Sequence, residues 1–458
     1  MWIAVAVFTL AATFAASLAA VHRVRSRPFA LEAVLSLAVV ICLETAIMNV
    51  LSLLQAVTRG WVVAAHLLVA AAAWAWLRPS RPARGARRAW RALQRLGWGG
   101  LLLVPLAALI ALSAWRYAPN NWDSMSYHLA RVAHWSQLRS VANYDTNVVR
   151  QVALLPGAEY LLLALQVVSG TERLAGFVQL GAWIAVVLAA PVLARLAGAP
   201  SRIAVAAAPI VGAAPMLVLQ ASSTQNDLVA AAAAVAGIAA TTPFLHRRGG
   251  RWRIADAALL GLVLAAGGVV KLNAPLAVLP LALAAAVQSL RRLSGGAEPA
   301  RRAAVGLGVL LLLASAIVLP EAVRRTGDAR MSPFIARFTY PLLGEAADRG
   351  VNVVRSVLRH VPAPRAVVTA FGIPERCIQN GWLASDALAR SHEEYAGNTL
   401  LALFSLAGIG LAALRWRRLS GRARLFLATT VAAWVLFQVT FRDNEWISRL
   451  EVPAFALS

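Results

Sequence analysis

The chain is organised around the polar stretch PNNWDSMSYHLARVAHWSQLRSVANYDTNVVRQVALLPGAEY, residues 119–160. It is the longest polar interval in the first half of a chain that is otherwise mostly apolar. Carboxylates, guanidinium groups, histidines and amides that are sparse elsewhere are concentrated within it. Such an interval between apolar runs predicts a surface loop, where polar side chains are available for binding and chemistry.

The composition predicts a membrane protein. The 458-residue chain is 60% hydrophobic and 14% charged, whereas soluble domains are about 25% charged. Apolar runs of about 16 to 24 residues recur along the chain, which indicates an all-α polytopic membrane protein with about 12 transmembrane helices. The predicted spans are 2–21, 31–54, 61–77, 98–115, 174–194, 203–219, 228–245, 255–270, 274–290, 303–320, 398–414 and 425–440.

The charge distribution predicts the orientation. The net charge is +24, but the arginines lie in short loops between apolar runs, so the positive-inside rule explains them and nucleic-acid binding is excluded. This rule places six loops in the cytoplasm and predicts an integral protein of a bacterial-type cytoplasmic (inner) membrane. The six loops are 22–27, 78–95, 195–202, 246–253, 291–302 and 415–424.

The apolar segment 152–168 leaves an alternative open. It is short and contains Pro156, Gly157 and Glu159, so we interpret it as a juxtamembrane helix at the outer surface. If it crossed the bilayer instead, every later segment would be inverted and its arginines would lie outside.

The first candidate site begins at Asp123, close to the end of a predicted span. Asp123 could simply cap a helix over residues 124–138. At helical spacing, however, Tyr127, His128 and Arg131 fall near the same face. Together, such side chains can deprotonate a hydroxyl, through the carboxylate, and bind a phosphate, through the arginine. Histidines six residues apart are poorly spaced for a metal, so the sequence supports no metal site, and a divalent cofactor stays open.

Two further polar segments face the same side if the orientation is correct. The turn QASSTQND, residues 220–227, ends in Asn226 and Asp227, which could also cap the following helix. Lys271, the only lysine, ends a span, where a cation often extends to the interface. Arg150 and Gln151 precede the juxtamembrane segment that contains Glu159. We predict that Arg131, Arg150 and Lys271 bind an anionic headgroup and that the polar residues of these segments contact substrate.

The order of these segments resembles the GT-C glycosyltransferase superfamily. The matching segments are WDSMSYHLARV, LLPGAEYLLL, ASSTQND and VVKLNAP, within residues 101–290. Protein O-mannosyltransferases and aminoarabinose-transferase-like enzymes are the most similar branch, and the oligosaccharyltransferase catalytic subunit shares the second acidic turn. The sequence departs from the pattern in two places: the first-loop acid has no acidic neighbour, and Leu-Leu-Pro-Gly replaces Lys-Pro-Pro.

The resemblance implies a function. It implies inverting transfer of a sugar from a polyprenyl-phosphate donor to an extracytoplasmic lipid, glycan or protein acceptor, with Asp123 as the catalytic base and Asp227 as the second-turn acid. It also implies four regions: additional transmembrane helices over 1–97, a catalytic module over 98–320 that includes loop 116–173, a loop over 321–397, and C-terminal helices over 398–458. The last region stops where another apolar run begins, which indicates a truncated chain.

Two other functions remain open. A transporter or flippase for lipid-linked glycans would show paired inverted repeats and a charged cavity reached from both sides, and the sequence has no evident repeat. A membrane scaffold would leave the clustering of Asp, Arg, His and Lys on one predicted side unexplained.

Overall fold

The computed structural model describes residues 1–77, 82–94, 96–245, 253–290, 297–326, 330–337, 339, 341, 345–360, 370 and 399–441. Within these residues the chain is almost wholly helical, and the extended backbone pairs only at an isolated bridge between Thr339 and Phe441. The predicted all-α class is confirmed.

We number the helices in chain order. They are α1 (Trp2–Val24), α2 (Phe29–Leu53), α3 (Arg59–Leu77), α4 (Pro82–Gln94), α5 (Gly97–Arg116), α6 (Leu129–Leu138), α7 (Arg150–Ala153), α8 (Gly157–Ser169), α9 (Gly176–Ala197), α10 (Ser201–Ala204), α11 (Ala207–Gly212), α12 (Pro215–Gln220), α13 (Asp227–Leu245), α14 (Ile254–Val270), α15 (Asn273–Leu290), α16 (Ala297–Thr326), α17 (Met331–Ala336), α18 (Ala346–His360), α19 (Thr399–Leu414) and α20 (Gly421–Thr440).

The helices make the chain an integral membrane protein. Eight segments of the described chain are long and apolar enough to cross a bilayer, namely Trp2–Val24, Phe29–Leu53, Arg59–Trp76, Gly99–Arg116, Glu172–Ala197, Asp227–Leu245, Ala304–Arg325 and Gly421–Thr440. The predicted spans 255–270, 274–290 and 398–414 contain shorter apolar helices. The predicted count of twelve is therefore not confirmed.

The predicted span at 203–219 is not a single helix. The structure divides it between α10, α11 and α12. Pro215 begins α12, and the preceding Ala214 has extended backbone. Proline lacks an amide N–H and disfavours a helical residue before it, which explains a break that hydropathy does not register.

Helix α13 forms the centre of the molecule. Nearly all its side chains are buried, and it packs against α2, α9, α14 and α15. Its alanines let neighbouring helices approach closely, as small residues do in membrane interfaces. Gly237 shows how close the approach is, because a Cβ at this position would lie 2.5 Å from a methyl carbon of Val278.

Contacts between helix ends define two ends of the bundle. Lys271 at the end of α14 pairs with Asp227 at the start of α13. Arg25, just after α1, pairs with Asp256 in the first turn of α14. We call the end that contains Asp227 and Lys271 the site end, and the end that contains Arg25 and Asp256 the arginine end. The two are separated by the length of α14, about 22 Å at 1.5 Å per residue.

Helix α8 does not cross the bundle. Its 13 residues are too few for a bilayer, which requires about 20. It is not exposed at a surface, however, because most of it is buried against α1, α2, α3 and α6. Gly157 permits its first turn to touch the end of α14, since a Cβ there would approach the backbone of Val269 to 2.9 Å.

Helix α16 continues past the predicted end of its span at residue 320 and ends at Thr326. The predicted loop 321–397 therefore begins with helix. Residues 361–369 and 371–398 of that loop lie outside the described residues, as does the end of the C-terminal region, 442–458.

Candidate active site

Asp123 forms an ion pair instead of a helix cap. Its Oδ1 lies 2.9 Å from a terminal guanidinium nitrogen (NH1) of Arg150, 27 residues later in the chain. Asp123 precedes a helical segment but its side chain makes no capping hydrogen bond there. The side chain of Asp123 is 6% exposed, whereas that of Arg150 is 31% exposed. The pair thus joins a buried carboxylate to a cation that solvent or a substrate can reach.

The helix after Asp123 begins with a π-helical turn. Residues Ser124–His128 form this turn and α6 continues from it. Single π-turns are uncommon and occur frequently at functional sites. The wider turn buries the Tyr127 ring beside two cations, with its centroid 5.7 Å from the guanidinium carbon of Arg150 and 6.0 Å from that of Arg131.

A buried triad lies beneath this turn. Oε1 of Glu159 lies 2.9 Å from Nδ1 of His128 and 3.3 Å from a terminal nitrogen of Arg131, and all three side chains are fully buried. Burial raises the pKa of the Glu159 carboxyl, but the charges of Arg131 and His128 outweigh it and hold this pKa below its ordinary value. Arg131 also donates to the carbonyl of Arg150 at 2.8 Å. The triad therefore supports the backbone that presents Arg150.

Gln151 fixes the same loop. Its amide nitrogen donates to the carbonyl of Ser126 at 2.7 Å, and its Oε1 accepts from Tyr144 and Thr146 at 3.0 and 2.9 Å. Burial raises the pKa of the Tyr144 hydroxyl to about 12, against the opposing charge of Arg131, so the tyrosine stays a hydrogen-bond donor at neutral pH.

The second acidic turn is buried and paired with the lysine. Nζ of Lys271 lies 2.6 Å from Oδ1 of Asp227, and the two side chains are 20% and 1% exposed. The amide of Asn226 donates to the carbonyl of Val270 at 3.4 Å. Asp227 is the first residue of α13, so its carboxylate also lies where the helix dipole favours negative charge.

Two hydrogen bonds join the first loop to the second turn. The hydroxyl of Thr224 donates to that of Ser124 at 2.7 Å, and the amide of Gln225 donates to Oδ1 of Asn121 at 3.4 Å. Segments about 100 residues apart in sequence thus meet at the site end. The segments that carry Asp123, Asp227 and Lys271 therefore lie together, and the roles of Asp123 as catalytic base and of Asp227 and Lys271 as substrate ligands stay predictions.

A further acid at the site end, Glu321, was not singled out from the sequence. Glu321 of α16 is fully buried, accepts from Tyr160 at 2.7 Å and from Asn49 at 2.8 Å, and pairs with Arg324 and Arg325. Both arginines also donate to loop carbonyls, those of Val141 and Leu154. The signal was present, because an acid followed by cations at i+3 and i+4 is a helical ion-pair pattern.

The cluster combines two kinds of group. His128, Arg131, Glu159 and Glu321 are inaccessible to solvent and stabilise the loop. Arg150 and Lys271 are partly exposed, each beside a buried carboxylate. In the described part of the chain, no three His, Cys, Asp or Glu side chains are grouped so as to hold a metal ion. The arrangement can bind an anion and accept a proton.

Comparison with known proteins yields a similarity in fold. No family model matches the sequence, and no curated protein is significantly similar to it. A similar solved structure is that of ArnT from Cupriavidus metallidurans bound to undecaprenyl phosphate, with a TM-score of 0.48 and 14% sequence identity. The similarity covers 78% of this chain and 58% of the ArnT chain, so this chain spans less than two thirds of its length. It concerns the overall fold.

Proposed function

We propose that the protein is a membrane glycosyltransferase, which moves a sugar from a polyprenyl-phosphate carrier to an acceptor hydroxyl. The observation that carries the proposal is the pairing of buried Asp123 with partly exposed Arg150, at the end of the bundle where Lys271 is also partly exposed. A base and two cations at a helix end suit a reaction in which a hydroxyl loses a proton and a phosphate leaves.

The reaction that fits this geometry is one displacement. The acceptor oxygen attacks the anomeric carbon of the sugar while the bond from that carbon to the phosphate oxygen breaks. The polyprenyl phosphate leaves with the bonding electrons, and Asp123 takes the hydroxyl proton. A single attack from the opposite face inverts the anomeric configuration.

The two exposed cations have the role of phosphate ligands. A guanidinium binds phosphate through two parallel hydrogen bonds, and an ammonium supplies a compact charge. When the donor phosphate binds Arg150, it competes with Asp123 for the guanidinium and frees the carboxylate to act as a base. Charge that develops on the leaving phosphate is then stabilised by groups that are already in place.

The positive-inside rule supports the location. It puts the arginine end in the cytoplasm and the site end on the other side of a bacterial-type cytoplasmic membrane. The donor is then a lipid of the outer leaflet, and the acceptor is a lipid, glycan or protein of the cell envelope.

Asp123→Asn tests the proposal. Purified protein is supplied with a panel of radiolabelled undecaprenyl-phosphate hexoses and pentoses, and labelled acceptor product is measured. We expect the variant to lose transfer and to remain folded by size-exclusion chromatography. Asp145→Asn is the matched control, because Asp145 is an exposed acid of the same loop.

The outcomes are distinct. Transfer retained by Asp123→Asn would remove this residue from the mechanism. If the wild-type protein moves the labelled lipid across a vesicle membrane and forms no new glycosidic bond with any acceptor, it is a carrier and not a transferase.

A further inference from the structure

A pocket lies at the arginine end, away from the candidate active site. It has a volume of about 450 Å³ and is enclosed by the start of α2, by α4, by the second half of α9 and by α10. Ligand pockets commonly have volumes of about 300–1,000 Å³. Because the site end begins about 22 Å away along α14, a substrate headgroup at Asp123 does not reach this pocket.

The lining of the pocket is strongly basic. Arg27, Arg88, Arg91 and Arg195 contribute to it, and none of its lining residues is acidic. The two nearby carboxylates are already engaged: Glu32 pairs with Arg88 at 2.7 Å, and Asp256 pairs with Arg25 at 2.7 Å. Within the described part of the chain, Arg91 and Arg195 have no ion-pair partner. The pocket therefore carries a positive charge that the described residues compensate only in part.

Arg27 supplies a second, independent observation. It is 9% exposed and lines the pocket. One terminal nitrogen donates to the carbonyl of Arg25 at 3.2 Å. Among the described residues the other terminal nitrogen makes no hydrogen bond, and its only ion pair is a long one, 3.6 Å from Oδ1 of Asp256. A buried N–H group that makes no hydrogen bond is costly, and Asp256 is too distant to supply one, so the position is suited to an anionic acceptor from a ligand.

The remaining walls are apolar. Phe29, Leu188, Pro191, Val192 and Val205 line the pocket opposite the guanidinium groups. Phe29 begins α2, and Leu188, Pro191 and Val192 belong to α9, and both of these helices lie in membrane-spanning segments. The pocket thus lies at an end of the spanning helices, where lipid headgroups meet acyl chains.

We propose that this pocket binds the phosphate headgroup of an anionic membrane lipid. The arginines bind the phosphate oxygens, and the apolar wall contacts the first part of the acyl chains. Basic pockets between membrane helices on the cytoplasmic side recognise anionic headgroups in this way. A free phosphate ester shares the headgroup chemistry but not the chains, so the apolar wall favours the lipid.

The test measures which lipid stays with the protein. Delipidated full-length protein is incubated with phosphatidylglycerol, phosphatidylcholine, glycerol 3-phosphate or inorganic phosphate, and binding is followed by native mass spectrometry and by the melting temperature. We expect phosphatidylglycerol to bind and to raise the melting temperature, whereas phosphatidylcholine and the two soluble phosphates do so weakly. Soluble phosphates that act as strongly as phosphatidylglycerol would overturn the lipid assignment.

Variants locate the site. In Arg91→Gln/Arg195→Gln we expect affinity for phosphatidylglycerol to fall about tenfold or more, because two charge-assisted hydrogen bonds are lost. Arg27 and Arg88 are left intact because they take part in ion pairs. The matched control is Arg202→Gln/Arg422→Gln. It removes two exposed arginines, of α10 and α20, neither of which lines the pocket. Equal losses in both double variants would show diffuse attraction to charge and refute a defined site.

Discussion

The two ends of this bundle differ in how far their arginines are compensated by carboxylates. At the site end, Arg131, Arg150 and Arg325 each lie beside a carboxylate that is almost wholly buried. At the arginine end, the pocket arginines outnumber the carboxylates, and Arg91 and Arg195 are exposed. A buried, compensated charge such as that of Arg325 stabilises the structure, whereas an exposed cation is available to a ligand, and most so where no carboxylate competes for it. The difference teaches that charge alone does not identify a site; its compensation and exposure do.

Removal of a buried carboxylate gives the largest expected effect. Glu321→Ala leaves Arg325, 3% exposed, without its ion-pair partner, and breaking a buried pair in this way costs about 3–5 kcal/mol. We expect a large fall in the melting temperature of the purified protein. Glu172→Ala, at an exposed acid, is the control.

The melting temperature of Arg91→Gln/Arg195→Gln tests whether the arginines at the arginine end contribute less to stability than those at the site end. These exposed arginines compensate no buried charge, so the melting temperature of delipidated protein should change little. A loss as large as that of Glu321→Ala would show that both ends depend on their arginines alike.

The Lys271→Gln variant gives the next largest expected effect, on the rate of sugar transfer. The variant removes a cation that we assign to the donor phosphate and breaks the ion pair between Lys271 and Asp227. We expect transfer to slow about a hundredfold, the scale seen when one preorganised electrostatic contact is lost. Lys271→Arg should recover part of the rate, because charge returns without the compact geometry. A Lys271→Gln enzyme with the wild-type rate would exclude the ammonium from catalysis.

Acid pH should lower the stability that Glu159 contributes at the site end, and this effect is smaller than the preceding ones. The pKa of Glu159 is lowered in the folded protein, so its ionised form stabilises the fold above the unfolded pKa of about 4.3. That contribution is lost as pH falls through the lower, folded value. The difference in melting temperature between wild type and Glu159→Gln should therefore narrow below about pH 4. A constant difference from pH 7 to pH 3 would contradict the assignment.

A higher salt concentration should give the smallest effect, a weaker binding of anionic lipid at the arginine end. Exposed charges are screened over about 8 Å at physiological ionic strength, whereas buried pairs are screened much less. Raising the salt concentration should loosen phosphatidylglycerol binding and leave the stability due to Glu321 unchanged. The melting temperatures of wild type and Glu321→Ala, compared at low and high salt, measure the second quantity, and phosphatidylglycerol binding to wild type at the same salt concentrations measures the first.

The sequence located much of the candidate site because membrane segments are compositionally simple. Against an apolar background, Asp123, Asp227 and Lys271 were conspicuous, and the alternation of arginine-rich loops predicted that they would share one end. The contacts of Thr224 with Ser124 and of Lys271 with Asp227 bring these segments together there.

The partners within the site could not be predicted in the same way. Helical spacing placed Arg131 near Asp123, but the ion pairs in the structure join Asp123 to Arg150 and Arg131 to Glu159. The π-helical turn at Ser124–His128 alters the spacing on which the prediction relied. Glu321 was missed because the hydropathy pattern ended the span at residue 320, while the helix extends to Thr326.

Hydropathy and charge placement sufficed to predict a helical membrane protein with Asp123, Asp227 and Lys271 at one end, because both are local properties of the chain. Only the tertiary structure decided which carboxylate compensates which cation, that the segment at 203–219 is broken, and that an arginine pocket forms at the far end. Those features depend on contacts between segments far apart in sequence, and such contacts leave no local pattern to read.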